Sequence, residues 1–285
     1  MRFSVVIPCY NHERYIGEAI RSVLDQDESD LELVVVDDGS TDKSVPLIEA
    51  ELKHAPKGQT ILYQQENAGA HAAIEKGIGL SSGDCIMLLN SDDFYHRDRI
   101  RRIAQCVADQ SDFIVFTGVD FVGPDSTPLK SRHPHRTWYE KMEQEAQEAP
   151  TVGMALLQNN LSVSSGNFAF SRSLYESLGG FANFRFCHDW DFILRASRWT
   201  EPLRIDEPLL SYRVHPENST HALRDIQEEE VRSALNGFLE ICRRKGTPNP
   251  TAPCPSNWPS FFDRFVNESS FHFDERPIAD FIGPA

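Results

Sequence analysis

Ser4 to Pro8 is a short apolar, β-branched run closed by a proline, and after a polar interval the apolar positions Ile16, Ile20, Val23 and Leu24 return at helical spacing. The pattern predicts strand, loop, helix. Leu31 to Val36 is a continuous apolar run, the signature of a strand buried on both faces, and it stops at Asp37-Asp38-Gly39-Ser40-Thr41-Asp42. Ser40 or Thr41 is placed to cap the next helix, whose apolar members include Val45, Ile48 and Leu52. Ile61-Leu62-Tyr63 reads as a third strand and Ala70 to Leu80 as a helix closed by Ser81-Ser82-Gly83. Cys85 to Leu89 reads as a fourth strand running into Asn90-Ser91-Asp92-Asp93. This β-α alternation predicts an α/β fold with a parallel sheet between helices, and such sheets bind ligands beyond the carboxyl ends of their strands. The polar clusters at 10–13, 37–42 and 90–93 all fall there.

The second half is less regular. Phe113 to Val122 suggests a strand pair, and Arg132 to Gln147 is a charged, Trp-containing segment readable as a loop or an exposed helix. Ser173 to Leu178 and Asp189 to Ser197 have helical character, Leu203 to Val214 strand character, and Ile226 to Arg244 is amphipathic with an acidic start and a basic end. From Gly246 to Pro259 crowded prolines read as an extended linker. Beyond it lies a tail with Phe261, Phe262, Phe265, Phe271 and Phe273, expected to pack on something, a second copy of the chain or a further domain being the candidates.

Composition narrows the class of protein. With 40% hydrophobic and 25% charged residues over 285 positions, the chain has the make-up of a folded domain with a sizeable core. A net charge of −15, with no clustered basic residues, disfavours nucleic acid and anionic membrane as general partners. The longest apolar stretches fall far short of the ~20 residues of a membrane span. The N-terminus runs into the first strand without a signal-peptide pattern, so a cytoplasmic location is expected, or a peripheral one at the inner face of a membrane. The six cysteines, at 9, 85, 106, 187, 242 and 254, form no Cys-x-x-Cys pair and are expected to be reduced thiols.

The strand-end clusters carry groups suited to handling a nucleotide diphosphate. Tyr10 offers an aromatic face, Asp37 or Asp38 could accept a hydrogen bond from an imide N–H of uracil, and Asn90-Ser91-Asp92-Asp93 offers carboxylates to a hard cation such as Mg²⁺ or Mn²⁺. His215, in Tyr212-Arg213-Val214-His215, suits a metal or a phosphate oxygen, and Arg213 supplies a fixed cation. Asp189 and Asp191 stand at a helix start on partly different faces, so one of them can face the crevice as a general base. Taken singly, each cluster also reads as an ordinary turn or helix cap.

Taken in order, Val5-Val6-Ile7-Pro8-Cys9-Tyr10-Asn11, Val34-Val35-Val36-Asp37-Asp38-Gly39-Ser40-Thr41-Asp42, Asn67-Ala68-Gly69, Leu89-Asn90-Ser91-Asp92-Asp93, His188-Asp189-Trp190-Asp191 and Tyr212-Arg213-Val214-His215 resemble the family 2 glycosyltransferases. The resemblance covers roughly residues 3 to 220. It implies the GT-A fold, a three-layer α/β/α arrangement with a mostly parallel central sheet. A catalytic domain at 1–222 would divide into a nucleotide-binding half at 1–110 and an acceptor half at 111–222, followed by a helical extension and tail at 223–285. The implied activity is inverting, metal-dependent transfer of a sugar from a nucleotide-diphospho-sugar, expected to be UDP-linked, to a hydroxyl of a glycan, lipid-linked or protein acceptor, as in the making of bacterial cell-envelope polysaccharide. By the same resemblance Pro8, Tyr10, Glu13, Asp37, Asp38, Asn67, Asn90 and Ser91 fall at the nucleotide, and Asp92 and His215 at the Mg²⁺ or Mn²⁺. Asp189 falls at the catalytic base, and Asp93, His188, Trp190, Asn167 and Arg213 at the two sugars. Trp190 is equally readable as core.

Three positions depart from the family pattern. Asn90 stands at the first acidic position of D-x-D, so the cation is expected to lean on Asp92, Asp93 and the nucleotide. Ile74 stands where many relatives carry an arginine, so a phosphate contact there would be lost or moved to His71. His188 replaces the glutamate beside the base, and as an imidazolium it would lower the pKa of Asp189. A nucleotide-sugar-binding module without activity is the alternative reading. An oxidoreductase would need a Gly-x-Gly-x-x-Gly after the first strand, and the chain carries Pro8 and Tyr10 there instead.

Overall fold

Alternate residues of the apolar runs point to opposite faces, and each face meets its own helices. Val5, Ile7, Leu33, Val35 and Met87 pack with Ile16, Ile20 and Val23 of α1 (Ile16–Leu24), Ile48 of α2 (Ser44–Leu52) and Ile100 and Ile103 of α4 (Arg99–Cys106). Val6, Val34, Val36, Ile86 and Leu88 face Ala73, Ile74 and Ile78 of α3 (Ala70–Leu80) on the other side. Three layers follow directly from this period-two division of continuous apolar strands. Gly77 lets α3 sit close on the sheet, since a Cβ there would lie 2.3 Å from Val6 Cγ1.

The computed structural model describes residues 1–27, 30–53, 55, 58–218, 223–244 and 247–259. Its eight-stranded sheet has the order β3-β2-β1-β4-β7-β6-β8-β5. The strands are β1 (Phe3–Cys9), β2 (Leu31–Asp37), β3 (Thr60–Gln64), β4 (Cys85–Leu88), β5 (Phe94–Tyr95), β6 (Ile114–Val122), β7 (Ala169–Ser171) and β8 (Leu203–Arg213). β7 and β5 run against their neighbours and the other pairings are parallel, so the expected mostly parallel sheet is present. β1 lies between β2 and β4, so the chain reverses its direction of travel across the sheet at β1. The crevice beyond that point is where ligands of such sheets bind.

Several sequence expectations change. In place of the strand pair expected over 113–122, residues 114–122 form one long strand, because β6 pairs along its length with β8 and the partner supplying antiparallel pairing is β7. The 132–147 segment is a helix, α5 (Pro134–Ala146), begun by a proline at its first turn and buried through Met142. Neither Ser40 nor Thr41 caps α2; Asp42 Oδ1 accepts from Ser44 N instead, at 2.9 Å. α6 (Val152–Leu156), α7 (Arg172–Leu178) and α8 (His188–Ser197) follow, and α9 (Arg224–Arg244) packs Leu235 and Phe238 into the same core as α8.

The proline-rich stretch is no extended linker in its described part. Asn249 donates from its backbone N to Arg198 O and from Nδ2 to Ser197 O, while Ala252 and Cys254 are fully buried. Glu201 accepts from Gly153 N at 2.7 Å and from Thr251 Oγ1 at 3.0 Å, tying this return segment to the start of α6. The fold-back also brings Cys242 and Cys254 into a disulfide with Cα atoms 5.6 Å apart, so the expectation of six reduced thiols is corrected at these two positions. Cys9, Cys85, Cys106 and Cys187 remain thiols. The phenylalanine tail, with Phe261, Phe262, Phe265, Phe271 and Phe273, lies outside the described residues, as does any dimer contact through it. Among the described residues no helix is long and apolar enough to cross a membrane.

Candidate active site

The loops after β1 and β2 are laced together. Asn11, turned by a left-handed φ of 52°, donates from N to Ser40 Oγ and accepts at Oδ1 from Thr41 N. Glu13 N donates to Asp42 Oδ2 while Glu13 Oε2 accepts from Lys43 N. Tyr10 stands 47% exposed above this pair, its ring available to a ligand. Pro8 is half-buried at the end of β1.

The two aspartates ending β2 have different tasks. Asp38 is spent on the Asn67-Ala68-Gly69 turn, accepting from Ala68 N, Gly69 N and Gln65 Nε2, and its backbone carbonyl accepts from Asn67 Nδ2. Asp37 uses Oδ2 on Ser40 N and keeps Oδ1 without a partner among the described residues. A buried acceptor left unpaired is costly, so Asp37 is the one with capacity for an incoming donor.

Beyond β4 the chain turns through Asp93 N to Asn90 O, and four side chains divide inward and outward. Asn90 donates from Nδ2 to Asp93 Oδ2 and Ser164 Oγ, and its Oδ1 accepts from Ser165 Oγ. Asp93 is 1% exposed and also accepts from Arg213 N. It therefore points into the protein, and the expected share of Asp93 in the cation and sugar site is corrected. Burial and then the neighbouring Asp92 charge drive its carboxyl well above the usual range.

Asp92 behaves oppositely. Burial alone would raise its pKa, but the bond from His215 and the charges of His12 and His215 outweigh this and hold it below 3.8. Its Oδ2 lies 3.0 Å from His215 Nε2 and 3.4 Å from Asn218 Nδ2. Asn218 also accepts at Oδ1 from His215 N and donates to Arg213 O, fixing the turn after β8. His12, Asp92 and His215 have donor atoms all within 4.8 Å of one another. An ionised carboxylate beside two imidazoles, with His215 Nδ1 buried and unpaired among the described residues, is a donor set that fits a divalent cation. Ser91 Oγ reaches His12 Nδ1 at 2.7 Å, so Ser91 supports this cluster.

Arg213, expected at the sugars, is 1% exposed and fully engaged elsewhere. Its guanidinium donates to Asp92 O, Gly123 O, Ser126 Oγ and Glu18 Oε2, and lies over the rings of Tyr15 and Phe94. Asn167 is likewise sealed in: it accepts from Thr117 N and Arg99 Nη2 and donates to Thr117 O and Ser162 O. Neither side chain has capacity left for a sugar, and both act as brackets behind the crevice.

At the start of α8, Asp189 is 9% exposed, accepting at Oδ2 from Asn160 Nδ2 and at Oδ1 from Trp190 N. Burial lifts its carboxyl above 3.8, against the lowering effects of His188, Trp190 N and Asn160. Asp191 is committed to Arg195 at 2.8 Å, which leaves Asp189 as the available base of the two. Both ring nitrogens of His188 are buried without partners among the described residues, and burial pushes its pKa below 6.5. Burial thus disfavours the charged imidazole, while the sign of its effect on Asp189, a lowering, is the one expected from sequence. Trp190 spends its indole N–H on Leu156 O and packs on the core. Ile74 is 1% exposed inside the core, so no phosphate contact arises at that position, and His71 at the start of α3 is half-buried.

His12, Asn160 and Asn218 were not singled out from sequence. His12 sits in the quoted Tyr10-Asn11-His12-Glu13 cluster, and Asn218 follows His215 by three residues, the reach of an Asx-type turn. Asn160 carries no local signal.

The sheet, its switch-point crevice and the acidic strand end make this an α/β protein of the class that takes its ligands beyond the carboxyl ends of its strands. Residues 4–179 match the family described as glycosyl transferase family 2, and the chain belongs to that family. It is a glycosyltransferase. An uncharacterized glycosyltransferase of Rickettsia typhi, RT0329, is 28% identical over 83% of this chain and 71% of its own length. Glycosyltransferase GlyG of Streptococcus pneumoniae is 32% identical over 39% of this chain and 37% of its own. The fold is the GT-A fold. S. aureus TarS 1–349 in complex with UDP-GlcNAc superposes with a TM-score of 0.70 at 17% identity, covering 94% of this chain and 72% of that one. The mannosyltransferase PcManGT from Pyrobaculum calidifontis, in complex with GDP-Man and Mn²⁺, gives 0.64 at 22% identity, covering 88% and 67%.

Proposed function

We propose that the protein transfers a sugar from a UDP-linked donor to an acceptor hydroxyl with inversion at the anomeric carbon, using a divalent cation at Asp92 and His215 and Asp189 as general base. The observation that carries this reading is the Asp92–His215 contact of 3.0 Å, an ionised carboxylate beside an imidazole at the sheet's switch point. Complexes of fold neighbours with UDP-GlcNAc and with GDP-Man and Mn²⁺ support a nucleotide-sugar donor and a metal.

In this reading Tyr10 stacks on the base and Asp37 Oδ1 accepts its imide N–H, while Pro8, Glu13, Asp38, Asn67 and Asn90 shape the nucleotide's walls. A divalent cation, when bound, supplies charge neutralisation to the departing diphosphate. Asp189 takes the proton from the acceptor oxygen, which bonds to the anomeric carbon as the bond to the diphosphate breaks on the opposite side. The raised pKa of Asp189 makes it a stronger base than an exposed carboxylate. Residues 1–110 and 111–222 serve as nucleotide and acceptor halves of one sheet, and the acceptor is a glycan or glycan-lipid precursor of the cell envelope.

The test is turnover of UDP-sugars with Mn²⁺ by wild type and Asp189→Asn, with the anomeric configuration of the product read by ¹H NMR. Inverted product from wild type, and loss of turnover with UDP affinity retained in the variant, are expected. UDP binding without turnover in wild type would leave the non-catalytic binding module as the better reading.

A further inference from the structure

We propose that His12 is a third protein ligand of the cation, so that the site is a two-imidazole, one-carboxylate set preferring first-row transition ions to Mg²⁺. This rests on the reading above that a divalent cation sits at Asp92.

Three chain segments far apart in sequence deliver the donors: His12 from the loop after β1, Asp92 from the turn after β4 and His215 from just past β8, all within 4.8 Å of one another. The 3.0 Å between His215 Nε2 and Asp92 Oδ2 equals the edge of an octahedron with metal–ligand bonds of about 2.1 Å. The two imidazole planes stand at 84° with centroids 6.0 Å apart, so the rings converge on shared space without stacking against each other.

His12 is held as ligating histidines are. Its Nδ1 lies 2.7 Å from Ser91 Oγ, an outer-shell bond that orients the ring, and in the tautomer where Nδ1 donates to the hydroxyl Nε2 is left for a metal. Its backbone is fixed too: His12 N donates to Ser44 Oγ, and His12 O accepts from Tyr15 N and Ile16 N at the start of α1. Tyr15, 3% exposed, packs its ring 4.8 Å from that of His215, so one short segment positions His12 and backs the second imidazole. His12 also accounts for the weakened D-x-D. Asn90 is turned to Asp93 and Ser164, and a neutral imidazole replaces the lost oxygen donor with nitrogen. Nitrogen-rich sites favour Co²⁺ over Mn²⁺ by the Irving–Williams order, and Mg²⁺, which prefers oxygen and keeps its water, comes last.

Binding is measured on the full chain, with and without UDP, by calorimetry with Co²⁺, Mn²⁺ and Mg²⁺, and by electron spin-echo envelope modulation of bound Mn²⁺, which counts coupled imidazole nitrogens. Wild type is expected to show two imidazoles and the affinity order Co²⁺, Mn²⁺, Mg²⁺. His12→Ala and the milder His12→Gln are expected to show one imidazole, with Co²⁺ affinity lowered about 10- to 100-fold and Mg²⁺ affinity little changed. One imidazole in wild type, or unchanged Co²⁺ affinity in a folded His12 variant, overturns the third ligand while leaving the cation at Asp92. No cation binding by wild type even with UDP overturns the cation reading itself.

Discussion

Asp92 is gripped twice from the end of β8: His215 Nε2 lies 3.0 Å from its carboxylate, and Arg213 Nε donates at 2.7 Å to its backbone carbonyl. The carboxylate is thus oriented before any nucleotide arrives, and its depressed pKa keeps it ionised at neutral pH. Asp92→Ala is expected to abolish Mn²⁺ binding and lower kcat by about 10²- to 10³-fold, the scale for losing one electrostatic stabiliser of a leaving group. Asn90→Ala, whose amide is already committed to Asp93 and Ser164, should cost only about tenfold, or 1.4 kcal/mol. Steady-state kinetics of the two variants against Mn²⁺ concentration decide this, and equal losses would put both residues on the cation.

A base that is raised by burial protonates earlier on acidification. The acid limb of kcat should therefore lie above pH 3.8, the ordinary aspartate value from which Asp189 is lifted. Asn160 bonds the carboxylate and lowers its pKa, so Asn160→Ala should move the limb to higher pH. Asp189→Asn should lower kcat by about 10²- to 10⁴-fold. A pH–rate profile unmoved by Asn160→Ala would mean that another group supplies the limb.

His188 titrates in the opposite sense. Its folded pKa lies below 6.5, so below that pH the unfolded chain binds the proton first and stability falls as pH drops from 6.5 through the folded value. Urea unfolding at stepped pH should show this loss in wild type and a smaller one in His188→Gln. Identical slopes would show that the ring is as hydrated in the fold as in the unfolded chain.

The parts of the site that were legible in sequence are those written by strand ends. Continuous apolar runs stopped by Asp37-Asp38 and Asn90-Ser91-Asp92-Asp93 located the ends of β2 and β4, because a buried parallel strand must end where polar residues begin. Which side of a polar cluster faces the ligand was not legible. Asp37 and Asp38 differ by a one-residue step in direction, and only the Asn67-Ala68-Gly69 turn consuming Asp38 separates them. Arg213 and Asn167 look functional by residue type, yet buried backbone groups need polar partners, and Asn167 serves Thr117 while Arg213 serves the carbonyls of Asp92 and Gly123. Val163 shows the limit most plainly. Its φ of 70° is one that a β-branched residue seldom adopts, and it lies between Asn160 on the base and Ser164 on Asn90. No local preference predicts it; tertiary contacts impose it.

Arg213 has so many partners that its removal should register as stability before it registers as catalysis. Arg213→Met keeps an unbranched apolar stem but strips hydrogen bonds from the carbonyls of Asp92 and Gly123 and leaves Glu18 without its cation. Breaking such a buried network is expected to lower unfolding free energy by about 3 kcal/mol, read as the urea midpoint. A variant with unchanged stability and a raised acceptor KM would return Arg213 to the sugar site.

The return of the chain over α8 makes a prediction of its own about the thiols. Cys242 and Cys254 are twelve positions apart, and a loop of that size stabilises by about 3 kcal/mol when closed, in the chain-entropy account. Asn249 and Glu201 hold the same segment without it, through Ser197 O, Gly153 N and Thr251 Oγ1. Cys254→Ala should therefore lower stability by about 2 to 3 kcal/mol while leaving turnover intact, since the segment's hydrogen bonds go to Ser197, Arg198 and Glu201, at and beyond the end of α8 opposite Asp189. Thiol titration of unfolded, unreduced protein should find four reactive cysteines, Cys9, Cys85, Cys106 and Cys187. Six without reductant would mean that the fold-back relies on Asn249 and Glu201 alone.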